Sequence, residues 1–357
     1  MKDYLKNILE IAIHAPSGEN CQPWRFKIEE DKVFIYNNPK SDESLYNFKQ
    51  RGSLIAHGML LENIAIASSV HGYQINIALF PHGDHLQNLV AVVEFQKTVV
   101  EHQSLYDSIL KRVTNRKRYQ RTALALEQRD SILRVGSGTG WGKIYLTEEH
   151  RHINTLARVG SMNERLVFEN SSLHNFLFSH ITWTKAEDNN KRVGFYIKTL
   201  EMPMPAKVFR VFQSWSLVKA LNRVGFSKTI WKQNAKTYSS SSAMGIIGFR
   251  GNSSKDFVLA GRLFQRLWLT TTKEGLSLQP LTGVLFFMQR ILEGDYDHFS
   301  SHHVELIKSS YDHVVKIFGL SEDVAVPIMF RIGYGGHPSA RASRFSLNEL
   351  LIQDHSL

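Results

Sequence analysis

The sequence predicts an α+β fold built from two tandem related halves, and three observations carry that expectation. First, the helix-like segment Gly58-Met59-Leu60-Leu61-Glu62-Asn63-Ile64-Ala65-Ile66 is echoed 203 residues later by Gly261-Arg262-Leu263-Phe264-Gln265-Arg266-Leu267-Trp268-Leu269. Gly72 is echoed by Gly275 at the same offset, so the register holds at both ends. Two generic buried helices would give a similar echo, and the residues alone leave that alternative open. Second, strand-like segments flank both helices. Third, 43% apolar and 21% charged residues are ordinary for a packed globular chain and exclude a disordered or fibrous one. At 357 residues there is room for two domains or one large one.

Element by element, Leu5 to Ala15 places Leu5, Ile8, Leu9, Ala12 and Ile13 on one helical stripe, stopped by the breaker-rich Pro16-Ser17-Gly18-Glu19-Asn20. Trp24 to Ile28 and Lys32 to Tyr36 alternate as strands around Glu29-Glu30-Asp31. Gly52 to Val70 is an apolar helix ending near Gly72, followed by strands from Gln74 to Phe80 and Asn88 to Phe95. A second part begins near Ser104, with a helix from about Leu105 running into the basic stretch Lys111 to Arg118. Lys143 to Leu146, Ala243 to Phe249 and Val324 to Tyr334 read as strands, and Phe257 to Lys273 as a long apolar helix. Residues 166–236 are aromatic and basic, with Met202-Pro203-Met204-Pro205 in the middle, and are expected to form a helical insertion or lid.

Forty-three Lys and Arg against thirty-three Asp and Glu leave a formal charge of +10, which attracts anions. These cations are spread over many segments without a nucleic-acid-binding motif, so no nucleic-acid partner is expected. Cys21 is the single cysteine, which excludes an internal disulfide framework. Asp3 and Lys6 fall where a signal peptide needs an apolar run. The most apolar stretch, Gly58 to Val70, contains Glu62 and Asn63. A cytoplasmic protein with no membrane partner is the expectation.

Three segments could meet around one planar, anionic ligand. Ala15 to Trp24 offers small residues for close backbone approach and the polar side chains Ser17, Asn20 and Gln22 for the edge of a heterocycle. An ordinary helix-to-strand loop fits the same residues. Arg112-Val113-Thr114-Asn115-Arg116 puts two guanidiniums on one face if helical, with a hydroxyl between them, which suits a phosphate or simply a solvated turn. Gln279-Pro280-Leu281-Thr282-Gly283 places a glycine beside a proline turn, and Ser339 to Arg344 adds Arg341 and Arg344.

Taken together these motifs resemble a known family. Pro16-Ser17-x-x-Asn20-x-Gln22-Pro23-Trp24 resembles the P-S-x-x-N-x-Q-P-W loop of nitroreductase-like flavoproteins, and Arg112-x-Thr114-x-Arg116 is similar to their R-x-S-x-R motif with Thr for Ser. Ala260 to Gly283 resembles the family's central helix and P-x-x-G turn. Arg331-Ile332-Gly333-Tyr334-Gly335 with Arg341 and Arg344 resembles its closing strand and basic tail. Ordinary members carry the arginine motif first; here the loop precedes it by about a hundred residues, which resembles the fused, duplicated Acg-type branch. The resemblance implies a nitroreductase-like α+β fold, helices around antiparallel sheets, in which one chain imitates a dimer. Residues 1–103 would be a degenerate first half that lends the flavin loop. Residues 104–357 would be the second half, with the phosphate site and the lid at 166–236.

The same resemblance implies one FMN per chain. Arg112, Arg116 and one of Arg341 or Arg344 would neutralise its phosphate, with Thr114 bonding an oxygen. Pro16, Ser17, Asn20 and Gln22 would line the ring's edge, and the turn Gln279, Pro280, Leu281, Thr282 and Gly283 would bring a backbone amide to N5. No catalytic side chain and no metal are implied. NAD(P)H would be co-substrate in a ping-pong hydride transfer through FMN to a nitroaromatic, quinone or similar small acceptor, in a pseudo-dimeric monomer or a homodimer. The alternatives are a non-catalytic FMN-sequestering protein and a flavin-dependent dehydrogenase of a biosynthetic pathway; the Lys and Tyr pair of the latter has no evident counterpart here.

Other signals are set aside. Gly136-Ser137-Gly138-Thr139-Gly140-Trp141-Gly142-Lys143 fails phosphate-loop spacing because Ile144 follows the lysine. His82-Gly83-Asp84-His85 and His302-His303 lack zinc-ligand spacing. Ser239 to Ser242 lacks the glycines of a nucleophile elbow.

Overall fold

A computed structural model describes residues 1–83 and 88–352. Asp84 and His85 of the first histidine cluster lie outside the described residues. From the N-terminus, α1 (Asp3–Ala12) leads through a loop into β1 (Trp24–Glu29), β2 (Lys32–Asn37), α2 (Arg51–Val70), β3 (Tyr73–Leu79) and β4 (Leu89–Lys97). Next come α3 (Tyr106–Lys111), α4 (Leu126–Arg134) and β5 (Lys143–Thr147). A helical block follows: α5 (His150–Gly160), α6 (Met162–Glu169), α7 (Ser171–Ser179), β6 (Ile181–Thr182), α8 (Lys185–Lys191), β7 (Phe195–Tyr196), α9 (Ala206–Val211), α10 (Trp215–Asn222) and α11 (Phe226–Tyr238). The chain closes with β8 (Ala243–Arg250), α12 (Ser254–Lys273), β9 (Ser277–Pro280), α13 (Gly283–Leu292), α14 (Ser301–Phe318), β10 (Val324–Gly333) and α15 (Leu347–Leu350).

The expected α+β class is observed. Two four-stranded sheets, β1-β2-β4-β3 and β5-β8-β10-β9, are antiparallel at every pairing, whereas β6 and β7 form a small parallel pair. The two orders are the same when the strands of each sheet are counted along the chain. In both sheets a 20-residue helix, α2 or α12, joins the second strand to the third.

Those two helices cross at the glycines of the sequence echo. A Cβ on Gly58 would sit 1.9 Å from the Val258 carbonyl oxygen, and one on Gly261 would sit 2.1 Å from that of Ile55. Val258 and Ile55 are themselves 203 residues apart, so the contact is reciprocal in the manner of a two-fold interface. Gly72 and Gly275 end the two helices at φ of 76° and 73°, the left-handed conformation that glycine adopts without a Cβ penalty.

Beside the crossing, Glu62 is fully buried between Arg262 and Arg266, whose Nη2 atoms lie 3.0 and 2.5 Å from its carboxylate oxygens. Arg262 also stacks on Trp141, 4.1 Å from the ring centroid. Removing one member of a buried pair leaves the other charge unpaired, so Glu62→Ala is expected to cost about 3–5 kcal/mol. The urea midpoint checks it, and a loss under about 1 kcal/mol would contradict the account.

Alternation along β8 and β10 divides the interior. Ala243, Ile247, Ile328 and Ile332 face the core shared with α1, α2 and α12, while Met244, Ile246 and Met329 face the core of the helical block. A strand buried on both faces reads as continuous apolar sequence, as Ala243 to Phe249 does.

Local boundaries differ from expectation in two places that matter for the site. α1 stops at Ala12 rather than Ala15, because the chain must turn before Pro16. α3 stops at Lys111, so the basic stretch is not helical: Arg112 has φ −56° and ψ 131°, and Thr114 bridges Leu278 in a parallel register.

Candidate functional site

Residues 112–116 run extended beside β9, anchored by a bond from Asn115 N to Leu278 O at 3.1 Å. In an extended chain every second side chain shares a side. Arg112, Thr114 and Arg116 all reach one cavity of about 1260 Å³, which Val113 and Lys117 also line, while the Asn115 side chain turns away to Ser277 and Gly336. The helical geometry considered for this motif is replaced by a period-two one. The cavity exceeds the ~300–1,000 Å³ of a typical small-molecule site, leaving room for a second ligand.

Pro16, Ser17, Asn20, Arg112, Thr114, Arg116, Gln279, Pro280, Leu281, Thr282, Gly283, Arg341 and Arg344 all line this cavity. Gln22 does not. It is fully buried, its Nε2 donating to the carbonyls of Arg192 (2.7 Å) and Asn20 (3.0 Å), while Oε1 accepts from Phe345 N at 3.0 Å. Asn20 Nδ2 is committed likewise, to the carbonyls of Arg192 and Ser343 at 3.0 and 2.8 Å. Gln22, expected at a heterocycle's edge, thus lies outside the cavity lining and ties the loop to residues 192 and 345, while Asn20 lines the cavity with its Nδ2 committed to residues 192 and 343. Ser17 Oγ accepts from Gln22 N at 2.9 Å and closes the loop on itself. The loop passes through left-handed backbone at Glu19, Asn20 and Gln22, a conformation these bonds hold in place.

At one end of the cavity, guanidiniums collect on helix ends. Arg112 Nη2 donates to His14 O at 2.8 Å and Arg344 Nη1 to Ala15 O at 2.7 Å, just past α1. Arg341 donates to the Leu110 and Lys111 carbonyls at the end of α3. The last carbonyls of a helix lack intrahelical partners and carry its negative pole, which is why cations settle there. Arg112 also stacks over Trp268, 4.7 Å from the ring, and its buried Nε has no partner. Among the described residues no carboxylate forms an ion pair with Arg112, Arg341 or Arg344.

Burial first, and neighbouring positive charge second, act on the ionisation of this group. Burial, then Arg344 and Arg341, push the Arg112 pKa well down, and burial lowers that of Arg344 to about 10. His14, which the sequence did not single out, drops to about 4 through burial and then Arg344, Arg112 and Arg341. A bound anion would relieve this repulsion.

Arg116 belongs to a different part of the cavity. It donates to Thr199 O at 3.0 Å, lies over Phe195, and faces Glu19, Glu164, Tyr119 and Tyr238. Tyr238 OH donates to Glu164 Oε1 at 2.7 Å, and Glu164 Oε2 is buried without a partner. Burial raises the Glu164 pKa against the opposing hydrogen bond and Arg116. Burial, then Asp42, lift that of Glu19 to about 8, with Arg116 opposing. No sequence pattern marked these acids, because what gathers them is packing between α6, α11 and the first loop.

The third segment is split by its own hydrogen bonds. Gln279 Oε1 accepts from Arg331 Nε at 2.7 Å, and Leu281 N donates to Met329 O at 2.7 Å. The Leu281 amide is therefore unavailable to a ligand, a correction to the turn as first read. Thr282 and Gly283 open α13, where backbone N–H groups lack intrahelical acceptors. A Cβ at Gly283 would lie 2.2 Å from Asn163 Oδ1, so a larger residue there would have to displace the Asn163 side chain.

Glu19 yields a pH prediction. Its pKa rises from an ordinary value near 4.5 to about 8 in the folded chain, so the folded state holds the proton more tightly. Stability from this group is full below pH 4.5 and falls as the pH climbs toward 8. Glu19→Gln is expected to leave the urea midpoint unchanged near pH 4 and to raise it increasingly up to pH 8. An identical pH profile for variant and parent would contradict the assignment.

No family model matches the chain. An uncharacterized protein of Mycobacterium tuberculosis strain CDC 1551 is 22% identical over 342 residues, covering 94% of this chain and 46% of its own length; the chain thus spans about half of that relative. A second M. tuberculosis protein, provisionally named NAD(P)H nitroreductase acg, is 31% identical over 119 residues, 32% of this chain and 35% of that one. This similarity bears out the resemblance carried by the sequence motifs. Similar solved structures include the FMN-dependent nitroreductase NfnB of Mycobacterium smegmatis in complex with NADPH, at 12% identity, 69% of this chain, 96% of that chain and TM-score 0.40. Nitroreductase A of Vibrio parahaemolyticus matches at 11% identity, 71% of this chain, 77% of that chain and TM-score 0.38.

Proposed function

We propose that this chain, which resembles nitroreductase-like proteins, is an FMN-dependent NAD(P)H oxidoreductase with one FMN per chain. The observation that carries the proposal is the cluster of Arg112, Arg341 and Arg344 at one end of a large cavity, unpaired with any carboxylate among the described residues and with one buried guanidinium nitrogen free. A phosphate dianion suits that donor set, since guanidinium forks bind phosphate oxygens in pairs. The residues present fit the group.

FMN, when bound, supplies hydride transfer from NAD(P)H to an acceptor such as a nitroaromatic or quinone. The chain's own residues bind and orient. Arg112, Arg341 and Arg344 would hold the phosphate, with Thr114 supplying a hydroxyl; Arg116, first grouped with the phosphate, faces Glu19, Glu164 and Tyr238 in another part of the cavity. The amides of Thr282 and Gly283 at the start of α13 would offer the positive end of the helix dipole to the bound group. Glu19, protonated at neutral pH, and the Tyr238–Glu164 pair would present donors and acceptors to a small molecule in the cavity. The volume left beyond one flavin supports two small molecules taking turns, as a ping-pong sequence needs.

The two-half organisation, 1–103 and 104–357, is part of the same proposal, supported by the reciprocal glycine contact and the repeated strand order. Residues 166–236 would cap the site, because Met202, Phe209, Phe212 and Phe226 line the cavity. The test is anaerobic stopped-flow absorbance of the FMN-loaded protein with NADH and with NADPH. Rapid bleaching by at least one is expected; no bleaching by either would reject the reductase reading and leave a flavin-holding protein.

A further inference from the structure

We infer that the outer face of α9 and the α10–α11 corner is a docking surface for an anionic lipid bilayer. From Met202 to Lys255 the chain contains no Asp or Glu and nine Lys or Arg. Lys207, Lys219, Arg223, Lys228, Lys232 and Lys236 are exposed, and among the described residues none of them is in an ion pair. Arg210 is exposed as well and covers the Trp183 ring at 5.4 Å. Elsewhere on this protein surface some cations are paired, as Lys32 is with Glu94 and Lys2 with Asp31.

Apolar side chains stand among these cations. Val208, Val211 and Val224 are 49%, 57% and 83% exposed. The Phe212 and Phe226 rings stack at 4.9 Å and 26°, tying the end of α9 to the start of α11. Val211 precedes one ring by a single residue and Val224 the other by two, so the valines gather at one corner. α9 is amphipathic in the same sense: Phe209 is buried against Phe178 while Lys207, Val208, Arg210 and Val211 face out.

Charge without acids attracts any polyanion, and the valines decide between them. Contacts to a nucleic-acid backbone are made by cations and hydrogen-bond donors and have no use for exposed aliphatic groups. A bilayer uses both, because basic residues meet anionic headgroups while apolar side chains insert at the acyl boundary. The inner sides of the same helices carry Phe209, Phe212, Phe226 and Ile230 into the cavity. One layer of helices thus separates the proposed lipid face from the cavity. The expectation of no membrane partner rested on the lack of a spanning segment, and a surface-seated protein needs none.

Vesicle flotation of the 357-residue chain tests this without any cofactor, so its failure is distinct from failure of the flavin reading. Flotation is expected with equal parts phosphatidylcholine and phosphatidylglycerol, not with phosphatidylcholine alone, and is expected to weaken as salt rises. Lys219→Glu with Arg223→Glu should lower the affinity by more than about tenfold. Val211→Ser with Val224→Ser should lower it about threefold or more at unchanged charge; should that pair fail to fold, Val224→Ser alone gives the reading. Absence of flotation, flotation indifferent to lipid charge, serine variants that bind as the parent does, or capture by duplex DNA in preference to vesicles would each overturn the proposal.

Discussion

Replacing Arg112 with alanine is expected to weaken FMN binding by about 2–5 kcal/mol, tens to thousands of times in Kd. Its guanidinium is buried, stacked on Trp268 and held by the His14 carbonyl, so it is in place before the anion arrives. Preorganisation of this kind means that little entropy is lost on binding, and the whole of the lost attraction appears in the affinity. Arg112→Lys keeps a charge but not the fork and should fall between parent and alanine variant. Quenching of flavin fluorescence on titration reads both. An alanine variant within twofold of the parent would remove Arg112 from the site, and Arg116→Ala should by contrast spare inorganic phosphate binding while weakening that of FMN.

The second large effect concerns the fold. Gly58→Val is expected to destabilise the chain by more than about 3 kcal/mol, at or beyond the upper end of overpacking costs. Its first side-chain atom would meet Val258 O at 1.9 Å, Arg262 N at 2.8 Å and Gly261 Cα at 2.9 Å. All three belong to backbone and none can rotate away. Gly261→Val should do the same through Ile55, because the contact is reciprocal. Urea midpoints of both variants check this, and two stable, soluble valine variants would show that α2 and α12 are not in close contact.

How much of this was legible in the sequence depends on the distance over which each residue acts. The echo of Gly58 in Gly261 marked the two helices as related, whereas their crossing at these glycines depends on contacts between backbones 203 residues apart. The repeated strand order left no such trace, since short strands under different neighbours keep pattern but not identity. Arg112, Thr114 and Arg116 were readable as a unit; their spacing fits a helix face or an extended edge, and only the pairing with Leu278 decides between them. The same limit applies to Asn20 and Gln22. Their amides are the right chemistry for a ligand's edge, yet the carbonyls that occupy them come from residues more than 150 positions away. Glu19, Glu164 and Tyr238 were invisible for a related reason, being brought together from three distant segments.

The central claim is that a single flavin mononucleotide lies between the loop at 16–24 and the Arg112, Arg341 and Arg344 cluster. Titration of purified, flavin-stripped protein with FMN, followed by calorimetry and visible absorbance for the parent and for Arg112→Ala with Arg344→Ala, measures it directly. The account predicts one FMN per chain for the parent and no measurable binding for the double variant. A stoichiometry of zero or two, or equal binding by both proteins, would contradict it.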